Sequence, residues 1–223
     1  LDIQGLLLFA PVLLFSVIAH EYAHGYAALK QGDTTAYALG RLTWNPVKHI
    51  DPFMTILLPL LLWFGSQGRM MLGGAKPVPV NPRNYRNFKR GDIIVSLAGV
   101  FTNLLIAVGC VLLIPLFGLL GSAVEPLRQT FATLQAMMVL GVNLNMVLIA
   151  FNLLPIPPLD GSHVVKYLMP PAWALWYMQV SRFGIVLLIV LLYVTPGVLN
   201  AWMYPAQATG DKMLSIVDQF VLR

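Results

Sequence analysis

Residues 3–29 read IQGLLLFAPVLLFSVIAHEYAHGYAAL, an apolar stretch with two histidines and a glutamate near its far end. A helix of about 27 residues is roughly 40 Å long and crosses the roughly 30 Å hydrocarbon core of a bilayer with room to tilt. A secretory signal starts basic and carries a shorter apolar run, so the stretch is read as a membrane span. The rest of the chain agrees. Of its 223 residues, 58% are hydrophobic and only 10% charged, against about 25% charged in soluble domains. Mean hydropathy is +0.75. The fold class expected is an all-α polytopic membrane protein, and an ordinary soluble enzyme is excluded.

Working outward, further spans are expected at 92–120, 130–154 and 183–204. That makes about four full transmembrane helices in a single membrane-embedded domain over 1–223. Residues 30–50 are polar and read as a loop with short strands around Ala36–Thr43. The segment at about 51–75 is re-entrant or a short hydrophobic one: its apolar run, 51–65, is only about 15 residues and is interrupted by Pro59, a length better suited to re-entering than to crossing. The stretch GGAKPVPVNPRNYRN at 73–87 has prolines spaced to exclude helix and favour extended backbone. Residues 163–182 are expected at the membrane interface, and 207–223 as an amphipathic tail.

The net charge of +5 reads in such a chain as a record of which loops stay in the cytoplasm, not as a nucleic-acid surface. Lys30, Arg41 and Lys48 follow the first span, and Arg69, Lys76, Arg83, Arg86, Lys89 and Arg90 precede the next clear one. If 51–75 dips in and returns, both clusters lie on the cytoplasmic side. The lone Cys110 excludes a disulfide framework and a cysteine metal cage.

The chemistry sits in His20-Glu21-Tyr22-Ala23-His24. Residues four apart share one helix face, so both imidazoles can grip one cation from the same side. Glu21 is placed to take a proton from an activated water. The plain alternative is a pair of hydrogen-bonded interfacial histidines. A glutamate inside an apolar span costs about 2.5–3.5 kcal/mol on insertion scales, which calls for a compensating partner such as a divalent cation. His24 lies about 9 Å and His20 about 15 Å along the helix from Lys30, below the cytoplasmic surface but short of the bilayer centre. A catalytic site usually needs a third protein ligand. The candidates are Asp33, His49, Asp51, Asp92, Asp160 and His163. Asp160 stands out because the prolines before it unwind the end of a span, and non-helical backbone at that depth must line protein or a water-filled cavity.

HEYAH at 20–24 and NLLPIPPLDG at 152–161, with the small-residue motif LAGVFTN at 97–103 between them, resemble the site-2 protease family, the intramembrane zinc metalloproteases of peptidase family M50. Val100 stands where that family usually has Pro. The resemblance runs from about residue 5 to 190. It implies one Zn2+ per chain held by His20, His24 and Asp160, with Glu21 as general base and Asn152 as a donor to the oxyanion. The alternative for Asn152 is hydrogen bonding between helices. Also implied are a re-entrant β-hairpin within 36–75 and a substrate that is a transmembrane segment of another protein. The implied location is the cell membrane, multi-pass in the bilayer, with the active site near the cytoplasmic side. The short connection at about 121–129 places the chain with the minimal group that lacks a PDZ domain. The competing reading is a membrane metal-binding protein or transporter without protease activity. It needs a polar path through spans whose outer halves are almost purely apolar.

Overall fold

The computed structural model describes residues 3–57 and 74–222. Helix α1 covers Ile3–Gln31, α2 Thr35–Ala38, α3 Phe88–Ala123 and α4 Arg128–Asn152. After a proline-rich turn come α5 (Asp160–Val165), α6 (Pro171–Val180), α7 (Gly184–Tyr193) and α8 (Pro196–Val217). Among the described residues, three helical stretches are long and apolar enough to cross a membrane: Leu7–Gln31, Phe88–Ala123 and Glu125–Asn152. A fourth crossing is made if Pro171–Phe183 and Val186–Tyr193, bent by 76°, count as one. The protein is an all-α polytopic membrane protein.

α3 shows why these runs become helices with two unlike faces. Asn103, Ala107, Cys110 and Ile114, at helical spacing, are buried. Phe101, Leu105, Val108, Leu112, Leu116 and Leu119 are exposed on the opposite stripe. Apart from Ile114, the inward groups are small or polar while the outward ones are large and apolar, the arrangement that lipid favours over water.

The chain divides into two compact units, Leu1–Ser16 with Val100–Arg223, and Val17–Gly99. Both divisions fall inside helices, α1 and α3. In the first unit, Ala107 and Cys110 of α3 pack with Val142 and Met146 of α4, and Ala206, Met213 and Leu214 of α8 lean on that cluster. A Cβ on Gly141 would lie 2.7 Å from the Cys110 sulfur, so only glycine lets the helices approach this closely. Polar ties supplement the packing. Asn145 donates to the Ser16 hydroxyl at 2.9 Å, and the Trp202 indole donates to the Ala150 carbonyl at 2.8 Å. Gln135 donates to the carbonyls of Ile114 and Phe220 and accepts from the Leu222 amide.

The second unit holds the C-terminal half of α1, the loop after it and the proline-rich strap. α1 stops at Gly32, whose φ of +108° suits glycine. The strap, residues 74–81, has no regular structure. It is fastened by side chains. Asp33, fully buried, accepts from the amides of Thr35 and Asn81 and from the Asn84 side chain. Arg41 donates to the carbonyls of Lys76 and Pro77. Tyr85 then packs on Ala28 and Val95.

Several expectations are corrected. In place of strands around Ala36–Thr43 there is the single helical turn α2, followed by Gly40 at φ +61°. The Asp33 carboxylate takes the Thr35 amide and hydroxyl and starts a turn, overriding the β-leaning composition. No strand occurs among the described residues. Of the segment 51–75, Pro52–Leu57 is a π-helical turn, and 58–73 lies outside the described residues. The apolar stretch 183–204 is not one helix. It breaks at Val194 and Thr195, because Pro196 lacks an amide hydrogen and forces the residue before it out of the helical region, with Thr195 at φ −127° and ψ 51°. Most of the expected tail is the continuation of α8. Residues 163–182 contain the end of α5 and all of α6. The connection from α3 to α4 is Val124 and one 3-10 turn.

Candidate metal centre

His20, Glu21 and His24 lie in the C-terminal half of α1, where the 3.6-residue repeat stacks positions 20 and 24. Their two Nε2 atoms are 3.0 Å apart. That is close to the roughly 3.3 Å between two nitrogens on a tetrahedral zinc with bonds of about 2.0–2.1 Å. Nδ1 of His24 is 2.7 Å from the Val95 carbonyl of α3. A carbonyl only accepts, so Nδ1 carries the hydrogen and Nε2 is left with its lone pair. Fixing the tautomer through the second nitrogen is how ligating histidines are commonly oriented.

His20 is buried and lies flat against α3. A Cβ on Gly99 would fall 2.5–2.6 Å from three atoms of its ring, so the imidazole occupies the space that any other residue at 99 would fill. Glu21 is half-buried, and its Oε2 accepts from the Val78 amide of the strap at 2.8 Å.

Asp160 opens α5 directly after the proline-rich turn. Gly161 permits the fold-back, since a Cβ there would collide with the Leu153 carbonyl at the end of α4. His20, His24 and Asp160 together offer a set of side chains of a kind that could hold a metal ion. Two imidazoles and a carboxylate are a donor set that suits zinc, and catalytic zinc sites of this composition leave a fourth position open for water.

The remaining candidates have other occupations. Asn152 ends α4 and donates one amide hydrogen to Leu148 of its own helix at 3.0 Å. His49 is buried and donates to the Thr43 carbonyl. Nδ1 of His163 stands 3.5 Å from the Lys166 amine. Asp33 is spent on the strap. Two participants escaped sequence reasoning. Gly99 had a signal, as the glycine of the LAGVFTN motif. Val78 had none, because it acts through its main chain.

The family model for peptidase family M50 matches residues 8–192. The chain belongs to peptidase family M50. As an M50 peptidase it is a zinc metallopeptidase of the site-2 protease type, which sets aside a transporter without enzymatic activity. A Bacillus subtilis protein named "Putative zinc metalloprotease YwhC" is 40% identical over 82% of this chain and 78% of its own. Proteins named "Putative zinc metalloprotease Rip2" from Mycolicibacterium smegmatis and Mycobacterium tuberculosis are 32% and 31% identical, each over 86% of this chain and 68% of their own. No solved structure gives a significant match.

Proposed function

We propose that this M50 peptidase cuts peptide bonds within or beside membrane-spanning segments of other proteins, at a zinc ion held by His20, His24 and Asp160. The observation that supports this most strongly is the pair of imidazole nitrogens, from His20 and His24, standing 3.0 Å apart on α1, a helix apolar enough to cross a bilayer. Zinc, when bound, supplies a Lewis acid that activates water and polarises a carbonyl.

The chain's own groups do the rest. Glu21, next to a ligand on the same helix, takes the proton of the attacking water and returns it to the leaving amine. Asn152 keeps a second amide hydrogen to offer the oxyanion that develops on the scissile carbonyl. The apolar outer stripe of α3 faces lipid, so a substrate reaches the site from the bilayer. Its helix unwinds locally to expose a carbonyl that its own hydrogen bonds would hide. The basic residues after α1 and before α3 support a reading in which this end of the helices faces the cytoplasm.

The test is Glu21→Gln beside wild type, with zinc content measured on both. The probe is a fluorogenic single-span peptide whose helix is interrupted by Asn-Gly. Cleavage is expected to fall at least about 100-fold while zinc is retained. Undiminished cleavage would remove Glu21 from its role.

A further inference from the structure

We infer that the main-chain amide of Val78 is the positioning group for Glu21, and that the proline pattern around it exists to present that amide. The inference rests on Glu21 being the general base and adds the residue that aims it.

Four observations meet at one point. The Val78 amide donates to Glu21 Oε2 at 2.8 Å across 57 residues of sequence, so the contact is tertiary and not a by-product of the helix. Val78 is buried, at 5% exposure, which shields the bond from competing water. Its side chain is seated on α1. A Cβ on Gly25 would lie 2.8 Å from Val78 Cγ1, so glycine one residue after the second histidine is what lets the strap come down to this depth. Finally, the flanking residues Pro77 and Pro79 have no amide hydrogen. Val78 is thus a lone donor between two residues that cannot donate, in backbone that a following proline holds extended.

The strap is fixed on both sides of this donor. Its Lys76 amide donates to the His49 carbonyl at 2.8 Å, Arg41 holds the carbonyls of Lys76 and Pro77, and Asp33 holds the Asn81 amide at 2.6 Å. The Val78 amide is therefore a rigid point rather than one end of a flexible loop. A carboxylate held through one oxygen keeps the other to receive a proton. General-base efficiency depends on holding the accepting atom near the proton it takes, so loosening the carboxylate lowers turnover without removing the metal or the substrate contacts.

Val78→Pro tests this directly. It deletes the amide hydrogen, and the extended backbone before Pro79 already suits proline. With the Asn-Gly peptide as substrate, kcat is expected to fall roughly 10- to 100-fold, with KM within about twofold and zinc content unchanged. Val78→Ala, which keeps the hydrogen, is expected to restore kcat to within about threefold of wild type. Equal losses in the two variants would reduce Val78 to a packing residue. A rise in kcat in Val78→Pro would make the strap an obstruction instead, and either result overturns the inference. A second measurement needs no substrate: Val78 amide exchange is expected to quicken about tenfold or more in Glu21→Ala, and unchanged exchange would equally overturn it. If Glu21→Gln stays active the general-base reading fails first, whatever the exchange shows.

Discussion

The strap at 74–81 and the face between α4 and α8 both lie against long helices, and they are held by opposite means. α8 meets α4 through small residues and apolar side chains, with Gly210 over Met146 and one polar tie from Trp202 to Ala150. The strap's apolar contacts include Val78 and Val80, the latter packed on the cluster of Ala28, Tyr85 and Val95. The strap is tied by Glu21, Asp33 and Arg41, each bonding main-chain atoms directly. Apolar packing spreads its stabilisation over many weak contacts and tolerates the loss of one. Charged hydrogen bonds concentrate it in a few atoms, and a missing partner leaves buried groups unsatisfied. Rigidity around Glu21 is therefore more fragile to single changes than the bundle that carries it.

That contrast can be broken at its strongest point first. Asp33→Ala removes the acceptor for two amides and the Asn84 side chain, and is expected to cost about 3 kcal/mol, with new protease sensitivity confined to the strap. Acid acts on the same group. Burial raises the Asp33 pKa, but the bonds from Thr35, Asn81 and Asn84 outweigh it and hold it below the ordinary 3.8. Its stabilisation is thus complete above pH 3.8 and lost as the pH falls through the lower folded value. Asp33→Asn is expected to flatten that acid dependence in thermal unfolding, and an unaltered profile would show that the carboxylate is not what holds the strap. Next in size is Gly99→Ala. It pushes the His20 ring off α3 and is expected to weaken zinc binding about 10- to 100-fold, read by competition with a chelator. Smallest is Trp202→Phe, which removes the polar tie between α4 and α8 and is expected to cost only about 0.6 kcal/mol. A loss as large as that of Asp33→Ala would erase the distinction between the two regions.

The sequence and the structure agree where one physical signal dominates. Long apolar runs have a single outcome in lipid, so α1, α3 and α4 were legible to within a few residues. Two histidines four apart on a span were legible as neighbours on one helix face for the same reason, and their nitrogens stand 3.0 Å apart. Asp160 stood out only beside the two histidines, because an Asp-Gly after prolines is by itself only a turn. What escaped was decided by atoms that composition does not weigh. The Asp33 carboxylate turned a β-leaning loop into a helical turn, and Pro196 divided an apolar run that hydropathy alone joins. The Val78 amide has no side-chain signature at all. Gly99 was visible as a small residue in a motif, yet its use as the seat of the His20 ring emerges only once α1 lies against α3.

The central claim is that His20, His24 and Asp160 share one zinc ion. It is tested most directly by zinc stoichiometry and X-ray absorption on the purified chain beside His24→Ala and Asp160→Ala. One zinc per chain with two imidazoles and a carboxylate is expected in wild type, with the metal lost or its ligand shell changed in each variant. A wild-type chain without zinc, or an Asp160→Ala chain with full zinc and an unaltered spectrum, would contradict it.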